Sequence, residues 1–187
     1  MSNEIIKKKA EAVQQILSSK AHEKSAESTL MQKIKNKNKV LLIDVSGSMS
    51  DRINSEATKW SIMNNIIQDL TGFRRFAFND DCYEILENQR MPHAWAGTAM
   101  HRAFDKIKNE NLKEVILVTD GFPDNAELAL KSAEGLKMNI IYIGPLPVPD
   151  FLNKLASQCS GIATPVDLIK EGGIKFLENK IKGLLNG

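Results

Sequence analysis

Cysteine is nearly absent: Cys82 and Cys159 are the only 2 in 187 residues. Two cysteines so far apart cannot form the disulfide framework of a small secreted scaffold, and no CxxC or CxxH pair offers zinc a site. Both read as buried thiols, with a single disulfide between them as the alternative. Long apolar runs are also missing. No stretch approaches the roughly 20 apolar residues that cross a bilayer. Ile5 and Ile6 are followed at once by Lys7, Lys8 and Lys9, which leaves no apolar centre for a signal peptide. These absences predict a soluble, cytoplasmic protein with no membrane contact. Internal repeats are lacking, and no G-x-x-x-x-G-K-[ST] loop is present to cradle nucleotide phosphates. His22, His93 and His101 are scattered without ligand spacing. Net charge is only +2, so nothing global argues for nucleic acid. Nine lysines against four glutamates give residues 1–39 a charge of +5, which leaves −3 on the rest. The lysines of residues 33–39 read as a solvated lead-in rather than a phosphate contact.

The composition is that of one ordinary globular domain with a short appendage: 42% hydrophobic and 26% charged residues. Residues 1–38 form the appendage and 39–187 the domain. In the first segment Ile6, Ala10, Val13, Leu17 and Ala21 recur at helical spacing, predicting a helix over 3–30 with a narrow apolar stripe. Residues 40–44, VLLID, read as a strand buried on both faces, as in parallel sheets. A Ser/Gly-rich loop and a helix near 55–70 follow, with Trp60, Met63, Ile67 and Leu70 as its core face. Residues 74–79 and 81–86 predict two strands joined by a tight turn, hence an antiparallel pair. After a loop over 87–97, Met100, Ala103, Phe104 and Ile107 mark an amphipathic helix. Residues 115–120 form a second buried strand ending in Asp120. Asp124 and Glu127 suggest a capping box on the next helix. A strand over 138–143, a helix near 150–158, a short strand near 161–166 and a helix near 172–185 complete the pattern. The last helix aligns Ile174, Leu177, Ile181 and Leu184.

Strands alternating with helices predict an α/β fold: a doubly wound, mostly parallel open sheet of Rossmann-like form, with one antiparallel edge strand and helices on both faces. In such sheets ligands bind beyond the carboxyl ends of the strands, where strand order reverses. If Asp44 and Asp120 end neighbouring strands, both carboxylates stand at that crevice.

The segment 44–50, DVSGSMS, carries the chemistry. Positions 44, 46 and 48 all bear short oxygen side chains, and in a loop leaving a strand such alternate positions can converge. Gly47 lets the backbone bend. Carboxylates and hydroxyls are hard ligands suited to Mg²⁺, Mn²⁺ or Ca²⁺. Each residue also has an ordinary alternative. Ser46, Ser48 and Thr98 can cap helices, Asp120-Gly121 is a common turn pair, and Asp80 and Asp81 read as a hairpin turn before a second acidic site. Asp51 is placed either to tune the loop from behind or as a plain exposed acid.

At this point the sequence resembles the von Willebrand factor A family and its metal-ion-dependent adhesion site. That site takes an Asp-x-Ser-x-Ser motif after the first strand, a Thr from a second loop and an Asp from a third. Asp44, Ser46, Ser48, Thr98 and Asp120 match in type and order, over a resemblance spanning roughly residues 39–185. The resemblance implies a resident Mg²⁺, with Mn²⁺ or Ca²⁺ as alternatives, and Asp residues that often act through water. It implies a non-enzymatic module that grips a protein partner through a metal-bound acidic group, within an intracellular assembly such as one built on an AAA+ ATPase. His93 and Trp95 precede the Thr98 loop and are candidate partner contacts, with Asp51. Unfilled, the two carboxylates are expected to repel each other. A second reading is a Mg²⁺-dependent phosphohydrolase of haloacid dehalogenase-like type, but that chemistry needs a second Asp two positions after Asp44, where Ser46 stands. A third is an assembly protein that oligomerises through its N-terminal helix.

Overall fold

The computed structural model describes residues 38–187; the helix expected over 3–30 lies outside the described residues. Strand β1 is Lys39–Asp44, followed by a 3₁₀ turn, Gly47–Ser50. Then come α1 (Lys59–Gln68), β2 (Arg74–Phe78), β3 (Cys82–Ile85), α2 (Met100–Asn109) and β4 (Glu114–Thr119). α3 (Ala126–Ser132), β5 (Lys137–Ile143), α4 (Asp150–Gln158), β6 (Ala163–Val166) and α5 (Gly173–Asn186) close the chain.

The six strands form one sheet in the order β3-β2-β1-β4-β5-β6. All pairs are parallel except β2 with β3, the antiparallel edge. The chain winds outward from β1 through β2 and β3, then returns to lay β4 on the other side of β1. Strand order therefore reverses between β1 and β4, and the crevice at their carboxyl ends is the binding position of such sheets. Side chains alternate across the sheet as the pleat dictates. Val40, Leu42, Phe76, Phe78, Val115 and Leu117 pack with Phe104, Ile107, Leu152 and Leu155 on one face. Leu41, Ile43, Ile116 and Val118 pack with Met63, Ile67, Leu177 and Ile181 on the other. Helices thus cover both faces. Among the described residues no helix is long and apolar enough to cross a membrane.

Several local expectations need correction. α1 starts at Lys59, because the Asn54 side chain accepts from the amides of Glu56 and Ala57 and holds a turn there. Helix then begins at a Thr58–Ser61 capping box. Trp60 is only half-buried at the edge of the core, where its Nε1 donates to the Pro92 carbonyl at 2.6 Å. α3 is capped by Asn125, whose side chain accepts from the Leu128 amide, not by Asp124 with Glu127. The buried face of α5 is Gly173, Leu177, Ile181 and Leu185, while Ile174 is exposed and Leu184 half-buried. The face is turned because Gly173 sits directly against the Asp167 carbonyl, which a Cβ would approach to 2.2 Å. Both cysteines are free, Cys159 buried and Cys82 half-buried.

Candidate metal centre

Asp44 and Asp120 stand at the switch point. β1 and β4 are hydrogen-bonded neighbours, with Ile43 opposite Val118, so both carboxylates emerge at the same end of the sheet. Asp44 is fully buried. Its Oδ1 accepts from the Ser46 amide at 2.8 Å and its Oδ2 from the Thr119 hydroxyl at 2.6 Å. Burial pushes its pKa up to about 6, against hydrogen bonds from Ser46 and Thr119 that pull it down; repulsion from Asp120 is a smaller upward contribution.

From Asp44 the chain turns so that Ser46 and Ser48 face each other, Oγ to Oγ 3.2 Å. The Ser48 hydroxyl donates to Asp120 Oδ1 at 2.7 Å. Three oxygens from two loops therefore run in a row across the crevice. Gly47 is not required sterically, since a Cβ there meets only the Ala96 carbonyl at an ordinary 3.5 Å. Its amide matters instead, donating to Ala96 O at 3.1 Å. The Trp95 amide likewise donates to Val45 O at 3.0 Å. These two bonds pin the loop preceding Thr98 to the serine loop. Ala96 itself is held at φ 64°, a left-handed conformation costly for a residue with a Cβ.

Thr98 is buried beside this junction, and two carboxylates grip the backbone of Gly97 and Thr98. The Thr98 amide lies 3.0 Å from both Asp124 oxygens, and the Asp124 amide returns a bond to Thr98 O at 3.1 Å. Asp80 Oδ1 accepts from the Gly97 amide at 3.1 Å. Glycine at 97 lets both carboxylates close in, because a Cβ would stand 2.6 Å from an oxygen of each and push them off the loop. Thr98 does not cap α2: the cap position is Ala99, with no side-chain hydrogen bond. Its place is set from outside the helix.

Asp120 has a partner that sequence reasoning missed. Lys59 Nζ lies 2.6 Å from Asp120 Oδ2, 3.1 Å from Asp51 Oδ2 and 3.2 Å from Ser48 O. Burial works against the Lys59 charge, but the hydrogen bond and charge of Asp120, then those of Asp51, outweigh it and raise its pKa above the ordinary value. Asp120 is thus paired with an internal cation, while its charge remains a small upward push on Asp44.

Of the three candidate partner contacts, Asp51 is exposed and tied to Lys59. His93 is exposed and stacks on Trp60, ring centroids 5.4 Å apart. Trp95 is 61% exposed on the pinned loop. Asp80 and Asp81 form the hairpin turn, and Asp80 is engaged by Gly97. Among the described residues no group of three or more His, Cys, Asp or Glu could hold a metal ion. A cation at the crevice would therefore depend on hydroxyls alongside two carboxylates.

The row of oxygens is compatible with such a cation in donor type and in spacing. In octahedral coordination at about 2.0–2.1 Å, neighbouring ligands stand about 2.8–3.0 Å apart. The observed 3.2 Å and 2.7 Å bracket that edge.

Comparison with solved structures places the fold. A von Willebrand factor type A protein from Catenulispora acidiphila superposes with a TM-score of 0.58 at 20% identity, over 79% of this chain and 42% of that one. The fold is that of a von Willebrand factor A domain. The manganese-loaded TRAP protein of Plasmodium vivax gives 0.56 at 19% identity, over 81% and 74% of the two chains. The ArnB paralog VWA2 of Sulfolobus acidocaldarius gives 0.53 at 19%, over 77% and 43%. The chain thus covers less than half the length of the first and third of these. No family profile and no curated protein matches the chain.

Proposed function

We propose that this von Willebrand factor A fold is a divalent-metal-dependent protein-interaction module, with Asp44, Ser46, Ser48, Thr98 and Asp120 as the metal site. The observation that carries the reading is the row Ser46 Oγ, Ser48 Oγ and Asp120 Oδ1 at the β1/β4 switch point, spaced as neighbouring ligands of an octahedral ion. Mg²⁺ is the proposed resident, with Mn²⁺ or Ca²⁺ as alternatives. The manganese carried by the TRAP relative is in keeping with that choice.

Each residue has a distinct task. Ser46 and Ser48 present neutral hydroxyls that bind without cancelling the ion's charge. Asp120, shared with Lys59, supplies a partly neutralised carboxylate. Asp44, with both oxygens already engaged, orients the Ser46 backbone and acts on the ion at a distance. Thr98 is delivered by Asp80 and Asp124. When bound, the ion supplies excess positive charge and a water-occupied position that a carboxylate from a partner protein can take. Asp51, His93 and Trp95, all exposed, are proposed to touch the partner, a component of an intracellular assembly such as an AAA+ ATPase.

The phosphohydrolase alternative needs an accessible carboxylate nucleophile after β1. Asp44 is fully buried with both oxygens bonded, which disfavours that chemistry.

The test is capture of partners from a lysate of the source organism on immobilised protein, in Mg²⁺ and in EDTA, with wild type and Ser48→Ala. A protein retained only by wild type in Mg²⁺ supports the reading. Equal recovery under all four conditions refutes metal-dependent recognition.

A further inference from the structure

We infer that Lys59 is a built-in counter-cation of the metal site, which neutralises Asp120 when no ion is bound and competes with a divalent ion for that carboxylate. The inference rests on the metal-binding reading above.

Three observations support it. First, the ammonium is saturated: its three N–H donors meet Asp120 Oδ2, Asp51 Oδ2 and the Ser48 carbonyl at 2.6, 3.1 and 3.2 Å. Two of these acceptors belong to Asp120 and Ser48, both proposed metal-site residues. Second, the contact is sheltered. The Lys59 side chain is 17% exposed and the Asp120 side chain 0%, so the pair is not a freely solvated surface bridge that salt would erase. Third, Lys59 occupies the first position of α1, whose first turn contains no acidic residue. A cation there faces the positive end of the helix dipole, so the helix gives it no reason to be there. Asp120, 61 residues away in sequence, does.

The consequence follows from electrostatics. A divalent ion drawn to Ser48 and Asp120 would arrive within a few ångströms of an ammonium that holds the same carboxylate. It must repel that ammonium or displace it. Lys59 therefore lowers affinity for the ion while keeping the unfilled crevice free of an unpaired buried carboxylate. Even at the dielectric of bulk water, the repulsion between an ammonium and a divalent ion about 5 Å apart corresponds to about tenfold in affinity.

The experiment is calorimetric titration of MnCl₂ into wild type and Lys59→Met, with thermal melts of both in EDTA and in Mn²⁺. Lys59→Met is expected to bind Mn²⁺ about tenfold more tightly, to melt lower than wild type in EDTA, and to recover more than wild type on adding Mn²⁺. Lys59→Gln, which keeps a polar tip without charge, is read in the same way should the Met variant fold poorly. Unchanged or weaker Mn²⁺ binding by the variants, with wild type binding normally, overturns the role of Lys59 and leaves the metal site standing. Equal losses of melting temperature in EDTA and in Mn²⁺ also overturn it, since they describe a purely structural lysine. If neither wild type nor variants take up Mn²⁺, the metal reading fails and this inference with it.

Discussion

Gly97→Ala is the most informative single change outside the proposed ligands. A methyl group at 97 would stand 2.6 Å from Asp80 Oδ1 and 2.6 Å from Asp124 Oδ2, well inside contact distance. Both groups are side-chain tips, so they can swing away, but doing so breaks the bonds to the Gly97 and Thr98 amides. A hydrogen bond to a charged group is worth about 1.5–3 kcal/mol. Asp80 and Asp124 are both exposed, so about 1 kcal/mol each is the appropriate figure. Alanine returns about 0.4–1 kcal/mol by restricting the unfolded chain. The net loss is about 1–2 kcal/mol, or roughly 2–8 °C in melting temperature for a domain of this size. Urea unfolding in EDTA, with Asp80→Ala, Asp124→Ala and their double variant in parallel, checks the arithmetic. Gly97→Ala should approach the double variant, and its Mn²⁺ affinity should fall because Thr98 is no longer delivered. A Gly97→Ala protein as stable as wild type, with unchanged Mn²⁺ affinity, would show that the two carboxylates do not hold the loop.

Other changes report on neighbouring parts of the account. Thr119→Val keeps the shape but removes a 2.6 Å donor from the fully buried Asp44; it should cost about 1–3 kcal/mol in chemical unfolding. Asp120→Ala should lower the melting temperature in EDTA rather than raise it, because it leaves the half-buried Lys59 without its strongest partner. Leu177→Ala opens the core under α5 and should cost about 2–5 kcal/mol, whereas Ile174→Ala on the exposed side of that helix should be near neutral. Burial pushes the Cys82 thiol up to about 12, so the reactive thiolate is scarce below that pH. Alkylation of the native protein should be slow at pH 8 and rise about tenfold per unit of pH, and a rapid reaction at pH 8 would contradict the burial.

The fold was largely legible in the sequence because its strands are short apolar runs with punctuation at their ends, and its helices carry one apolar stripe each. The sequence left open whether Asp44 and Asp120 end neighbouring strands, because strand order is not written in an α/β pattern; the pairing of β1 with β4 answers it. Interactions between distant residues were not legible. Nothing local to Lys59 marks it as the partner of a carboxylate in another loop, and its position at a helix start reads as ordinary surface charge. Asp124 carried a signal, but a carboxylate three residues before Glu127 fits a capping box equally well. Only the fold shows that Asn125 caps the helix and that Asp124 turns back to Thr98. The α5 face was misplaced by one position at each end for a similar reason: Ile174 and Leu184 are apolar, but the close approach of Gly173 to the Asp167 backbone sets the rotation.

The most direct test of the central claim is to count Mn²⁺ bound per chain by the loss of the free-ion paramagnetic resonance signal, in wild type and in a Ser46→Ala, Ser48→Ala double variant. The account predicts one ion per wild-type chain, displaced by excess Mg²⁺, and none on the double variant, which still folds in EDTA. A wild-type chain that binds no Mn²⁺, or a double variant that binds it as well as wild type, would contradict the assignment of this crevice as a metal site.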